Sequence, residues 1–185
     1  MLWINCDVPV APTNIHLQTL RAALGWLELG LPRDALDELA QLPTDAEDNA
    51  DVLEVRWMIH ADMKDWSAAM LASSKLIMIA AERASSWLHH AYAVRRASDG
   101  GLLRAFNLMA PVASRFPEEP TIPYNLACYT CQLQRGGTET MAWFERALAI
   151  GNPTELIQMA LNDPDLAPVR DLIKKISAPK KRHAS

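Results

Sequence analysis

Cysteine is scarce in this chain, and the scarcity is informative. Three thiols among 185 residues cannot staple a disulfide scaffold, and the odd number points to a reducing compartment. Glycine is also rare: seven, beside twelve prolines, are too few for a fibrous or low-complexity chain. Long apolar runs are missing. The longest mostly apolar stretch, Met70 to Ala81, is broken by Ser73, Ser74 and Lys75 and is too short to span a bilayer. The first residues lack a basic region and a continuous apolar stretch before Pro9 and Pro12, so no targeting segment is expected, and the cytoplasm is the default location. Runs of β-branched residues are absent as well, which leaves strands little support.

What is present suits a packed helical protein. Half the residues are apolar and 22% are charged, enough for a substantial core. The net charge of −4 is unevenly spread. Residues 1–173 hold thirteen basic against twenty-two acidic side chains, a balance of −9, and Lys174, Lys175, Lys180, Lys181 and Arg182 give the last twelve residues +5. An acidic body is a poor match for a phosphate backbone, so nucleic-acid contact rests on the basic tail alone.

Breakers cluster and leave stretches of helical length between them. Residues 44–99 contain neither Gly nor Pro, while Gly30-Leu31-Pro32, Leu42-Pro43, Gly100-Gly101, Pro117 to Pro123, Gly136-Gly137, Gly151 to Pro153 and Asp163-Pro164 punctuate the chain. Helix starts are signalled by Pro32, by Thr44-x-x-Glu47 as a capping box, by Asp65 before Trp66, and by Asp163 before Pro164. About ten helices and no sheet are expected. Pro111 should kink one of them near Asn107, whose carbonyl loses its partner.

The chain also repeats itself. Small residues at Ala35, Ala69, Ala105 and Thr140 recur at intervals of 34, 36 and 35. Ala23, Trp57, Ala91 and Cys128 in the preceding helices recur at 34, 34 and 37. The two extra residues of the third unit fall at Ser98 to Gly101, a turn where insertion costs little. Two independent series at this spacing indicate a helix–turn–helix repeat.

This period, with the residues that carry it, resembles the tetratricopeptide repeat (TPR) family, in its bacterial form. Tyr124, Cys128, Cys131, Thr140, Phe144 and Ala147 match the pattern best; Trp87, Ala91, Val94, Ala105, Met109, Val112 and Pro117 follow it in the third unit. Gly25 to Gly30, Pro32, Ala35 and Leu39 mark the first, and Lys64-Asp65-Trp66 with Ala69 mark the turn of the second. Trp57 for a small residue and Ser73 for a large one are departures, both in unit two. The resemblance covers about residues 14–150. It implies an all-α, right-handed α-solenoid of about four units, capped by two short helices between Pro153 and Ile176. The organisation expected is an N-terminal arm (1–13), a repeat domain with its cap (14–177) and a basic tail (178–185).

No catalytic constellation emerges. Cys128-x-x-Cys131 sits mid-helix in packing positions, where a thiol behaves as a small hydrophobe. His16, His60, His89, His90 and His183 show no ligand spacing, and Asn162 to Asp165 lacks the Gly and Glu of a calcium loop. Neither a phosphate-binding Gly loop nor a nucleophile elbow is present. No catalytic residue, metal or cofactor is assigned.

The resemblance implies that the first helix of each unit lines a concave groove. The corresponding positions are Asp51, Glu54, Met58 and Ala61 in unit two, Ser85, Leu88, Tyr92 and Arg95 in unit three, and Ile122, Asn125, Tyr129 and Gln132 in unit four. Of these, Glu54, Met58, Leu88, Tyr92, Arg95, Ile122, Asn125, Tyr129 and Gln132 are the candidate ligand contacts, on the premise that Tyr, Leu and Ile are exposed together. Leu20, Leu24, Val55, Ser85 and His89 stand where family members that clamp a chaperone's terminal carboxylate carry Lys, Asn and Arg, so that partner class is not expected. In the first helix Leu17, Leu20, Leu24 and Leu27 fall at groove positions, and Ala22, Ala23, Trp26 and Leu29 at packing positions. A helix apolar nearly all round is normally covered, here by the arm Met1 to Pro12 or by a second copy, giving a homodimer. The function expected is a non-enzymatic scaffold or adaptor that holds a peptide or helix of another protein, with a secretion or assembly chaperone as the alternative.

Overall fold

The computed structural model describes the backbone of residues 14–177 and the side chains of 17–176; the N-terminal arm and the basic tail lie outside the described residues. Ten α-helices and three 3-10 turns make up the described chain, with no strand among these residues. They form two compact units, residues 14–101 and 102–177.

The first unit holds α1 (Asn14–Glu28), α2 (Pro32–Leu39), α3 (Ala50–Asp62), α4 (Trp66–Ile79) and α5 (Ala84–Arg96), each packed on the next. The turns inside two helix pairs share one mechanism. After α1 the Leu31 amide donates to the Trp26 carbonyl and the Gly30 amide to Leu27; after α3 Asp65 donates to His60 and Lys64 to Ala61. This crossed pair of bonds satisfies the last carbonyls of a helix and requires a left-handed residue at its corner. Gly30 (φ +73°) and Lys64 (φ +59°) supply it, thirty-four residues apart. The turn after α5 is built differently: Gly101 donates to Val94 and Gly100 to Ala97, and a Cβ on Gly100 would collide with the Val94 carbonyl. The longer connection seen in the sequence thus has its own hydrogen bonding.

The second unit contains α6 (Leu102–Met109), α7 (Thr121–Gln132), α8 (Gly137–Ile150), α9 (Pro153–Asn162) and α10 (Arg170–Ser177). The turn after α7 repeats the crossed bonds, with Arg135 donating to Thr130, Gln134 to Cys131, and Gln134 at φ +56°. A 3-10 turn, Pro164–Val169, packs on α7 and α8, and α9 packs on α8, so the C-terminal elements cover the last helix pair.

All eight small-slot positions are buried: Ala23, Ala35, Ala69, Ala91 and Ala105 almost wholly, with Trp57, Cys128 and Thr140 close behind. Around them lie two clusters of the first unit. Leu20, Leu39, Val52, Val55 and Ile59 surround Ala23 and Ala35, while Trp57, Ala61, Ala72 and Ala93 surround Ala69. In the second unit Met109, Ile122, Leu126, Phe144, Leu166 and Ile173 are fully enclosed.

Two local expectations are corrected. Pro111 does not kink a helix: α6 ends at Met109 and Pro111 opens the 3-10 turn Pro111–Ser114. A proline ring collides with the carbonyl four residues back, and after only eight helical residues termination is the cheaper escape. Thr44-x-x-Glu47 does not cap α3 either; Thr44–Ala46 is a 3-10 turn without a side-chain cap bond. Asn49 is the cap, its Oδ1 accepting from the amides of Asp51 (2.9 Å) and Val52 (3.3 Å). Asp65 does cap α4, accepting from the Ala68 amide at 3.1 Å, and Asp163 caps the turn at Pro164. Asn49→Ala should therefore cost about 1 kcal/mol in a denaturant titration, while Thr44→Ala stays within about 0.5 kcal/mol of wild type. The reverse order would restore the capping box.

Candidate functional site

The face shared by α3 and α5 is where the predicted groove residues of the first unit meet. Arg83, just before α5, donates to Asp51 Oδ1 at 2.7 Å and lies 3.8 Å from Glu54 Oε2. Glu54 is only 3% exposed, and its Oε1 is 3.0 Å from His89 Nε2. Burial works against the Glu54 carboxylate. The hydrogen bond and positive charge of His89, the Ser85 hydroxyl and the Arg83 guanidinium outweigh it and hold the carboxyl below its usual range. The same pairing with Asp51 raises Arg83 against the effect of its own burial.

Trp57 explains why His89 is held there. Its indole stacks on the imidazole at 3.9 Å and 20° between planes. Its edge meets Tyr92 at 5.9 Å, and Trp66, at the start of α4, tilts against Tyr92 at 5.8 Å. The Arg96 guanidinium lies 3.5 Å from the Tyr92 centroid and 5.4 Å from that of Trp66, and its Nη1 donates to the Tyr92 carbonyl at 3.2 Å. On the neighbouring helix Ser73, the second departure from the repeat pattern, is buried; its hydroxyl reaches the Ala69 carbonyl at 2.8 Å and His90 Nδ1 at 3.1 Å.

The predicted contacts therefore divide. Met58, Tyr92 and Arg95 are half-buried and reach the surface of this face. Glu54 is spent on internal pairing, and Leu88 is buried. In the second unit Asn125 is half-buried and Gln132 is exposed, its Nε2 donating to the Asp165 carbonyl at 2.8 Å. Ile122 and Tyr129 are buried. The premise that Tyr, Leu and Ile stand exposed together is thus corrected for Leu88, Ile122 and Tyr129. The reason in the second unit is that α6, α8 and the 3-10 turn Pro164–Val169 all pack on α7, and an enclosed helix buries its groove positions too. Its all-round apolar sequence, Ile122 to Cys131, was the available signal.

The first helix is also corrected. Leu20 is buried with Ala23 and Ala35, Leu24 and Leu27 pack on the same cluster, and Leu17 is half-buried. Trp26 and Leu29, assigned to packing, are exposed. Leu20, Leu24 and Leu27 thus pack on α2 and α3, and the arm offered as the cover of this helix lies outside the described residues.

In the second unit the Tyr124 hydroxyl donates to Asp163 Oδ2 at 3.0 Å and the Cys128 thiol to the same oxygen at 3.7 Å. Burial first, then the nearby Cys128 and Asp163, push the Tyr124 phenol far up. Burial likewise raises the Cys131 thiol, aided by Asp165, which is the opposite of a reactive cysteine. Cys128, Asp163 and Asp165 are close enough to share an ion, but Asp163 already accepts from Tyr124, Cys128 and the Asp165 amide. His60 is pushed down by burial and has only Asp65 at 3.9 Å. Arg83 and Arg96 are the residues that the repeat positions did not point to, while the sequence marks Trp66 only as a turn residue and His89 as a mismatch to a carboxylate clamp.

No protein-family model matches the chain, and no curated protein matches it. Among solved structures it is similar to MamA (residues 41 to the end) from Desulfovibrio magneticus RS-1, a TPR-containing protein. The TM-score is 0.62 at 14% identity, over 90% of this chain and 96% of that one. This likeness shows the fold: all-α, of the TPR-type solenoid class. Among the described residues no helix is long and apolar enough to cross a membrane.

The Glu54 pairing has a pH signature. A carboxyl held below its ordinary value of 4.5 contributes stability that is present above that value and lost as the pH falls through the folded one. Glu54→Gln should accordingly be less stable than wild type above pH 4.5, with the gap narrowing on acidification. Unfolding midpoints that stay equally far apart from about pH 6 to about pH 3 would contradict the pairing.

Proposed function

We propose that the chain is a non-enzymatic interaction module that holds a segment of a partner protein against the α3–α5 face. The observation that carries this reading is the division of labour on that face. Charged groups beneath it are paired with one another: Asp51 with Arg83, and Glu54 with both Arg83 and His89. Above them Met58, Tyr92 and Arg95 reach the surface. An apolar, an aromatic and a guanidinium side chain on a pre-organised base are the residue types that dominate binding energy. The TPR-type fold supports the reading, because stacked helix pairs present side chains from successive first helices on one side, although such a scaffold serves many ends.

Affinity purification of the tagged chain from its own host, beside a Met58→Ala/Tyr92→Ala/Arg95→Ala variant of unchanged helicity, tests this. A partner recovered with wild type should fall by about tenfold or more with the variant. Equal recovery of the same partner by both would move the binding surface elsewhere.

A further inference from the structure

Three rings from three different helices converge in the first unit. Trp57 on α3 meets Tyr92 edge-on at 75°, and Trp66 on α4 meets the same ring at 60°. Trp57 spends a π-face on His89, whereas Tyr92 and Trp66 each have a guanidinium over the ring, and a π-face attracts cations. A cation is already there: the guanidinium of Arg96, close over Tyr92 and within reach of Trp66.

This assembly is not sealed in the core. Trp57 behind Tyr92 is buried, but Trp66, Tyr92 and Arg96 are each half-buried and reach the solvent. Arg96 is the last residue of α5, one turn beyond Tyr92 on the same side of the helix. Charge favours a cationic visitor. Residues 14–101 hold thirteen acidic against eight basic side chains, a balance of −5, and the turn that leads into Trp66 exposes Asp62 and Asp65 against one cation, Lys64. The neighbouring Arg95 is turned about 100° away around the helix.

We propose that Trp66 and Tyr92 form a cation-binding aromatic site, that Arg96 is its resident occupant, and that a partner segment docks by placing an arginine side chain where Arg96 now lies. The inference rests on the reading that the α3–α5 face binds a partner, and it names the chemistry of that partner. A planar guanidinium is the group the site already holds, stacked on an aromatic face, which suits arginine better than lysine. Displacement makes Arg96 a competitor, so binding is weakened by the chain itself.

The test uses the purified full chain and two blocked pentapeptides, Ala-Ala-Arg-Ala-Ala and its counterpart with neutral citrulline at the centre. Binding is read from tryptophan fluorescence and from the indole N–H resonance of Trp66. Arg96→Ala should bind the arginine peptide about fivefold tighter than wild type does, and should prefer it to the citrulline peptide. Adding Tyr92→Leu should abolish that preference. If Arg96→Ala is not folded, Arg96→Gln, which keeps a donor for the Tyr92 carbonyl without the charge, carries the same expectations. A folded Arg96 variant that gains nothing, or that treats the two peptides alike, overturns the proposal. If co-purification nevertheless depends on Met58, Tyr92 and Arg95, the binding face stands and only its arginine chemistry falls.

Discussion

Paired helices can approach closely only where the side chains between them are small, and this constraint sets the period of the chain. Interaxial distances of 8–10 Å depend on what occupies the crossing point. Ala23 and Ala35 share one cluster and Ala69 lies in the next, while Ala91, Ala105 and Thr140 are likewise essentially without solvent contact. The crossed turn bonds after α1, α3 and α7 then recur in phase with the slots, each helix delivered to its partner by a left-handed residue. Packing and turn geometry thus specify the same repeat.

Trp57 breaks the constraint, and the candidate site is the consequence. A large ring where its counterparts are small cannot be lost between two helices; it extends to α5 and packs there on His89 and Tyr92. His89 is thereby placed to meet Glu54, and Arg83 closes the group by bonding Asp51. Neither carboxylate could be left buried alone without a cost of several kcal/mol, so these four side chains hold one another in position. The result is a stiff base beneath Met58, Tyr92 and Arg95, and fixing binding groups beforehand is a route to affinity that does not depend on contact area.

Much of the fold was legible because it depends on spacing. The two small-residue series, the Asp65 cap, the proline at the start of α2 and the C-terminal helices all stand where the sequence places them. What it missed depends on neighbours distant in sequence. Thr44-x-x-Glu47 and Asn49 are both plausible caps as strings, and only the chain's path into α3 selects Asn49. That Leu20, Leu24 and Leu27 pack on α2 and α3 follows from where those helices lie, which the pattern of α1 by itself does not carry. Repeat positions identified Tyr92 but also Ile122 and Tyr129, since position alone does not reveal that other elements enclose α7. The clue to the site was the misfit itself: a tryptophan in a small slot, with a histidine and a tyrosine one helix away.

The account turns on Trp57 holding His89. An imidazole stacked at 3.9 Å on an indole lies in the shielding region of that ring, so the nuclear magnetic resonance shifts of the His89 ring protons measure the contact directly. In the wild-type chain they should lie well upfield of those of an exposed histidine, and in Trp57→Ala they should return to ordinary values. Ordinary shifts in both chains would mean that Trp57 does not organise this face.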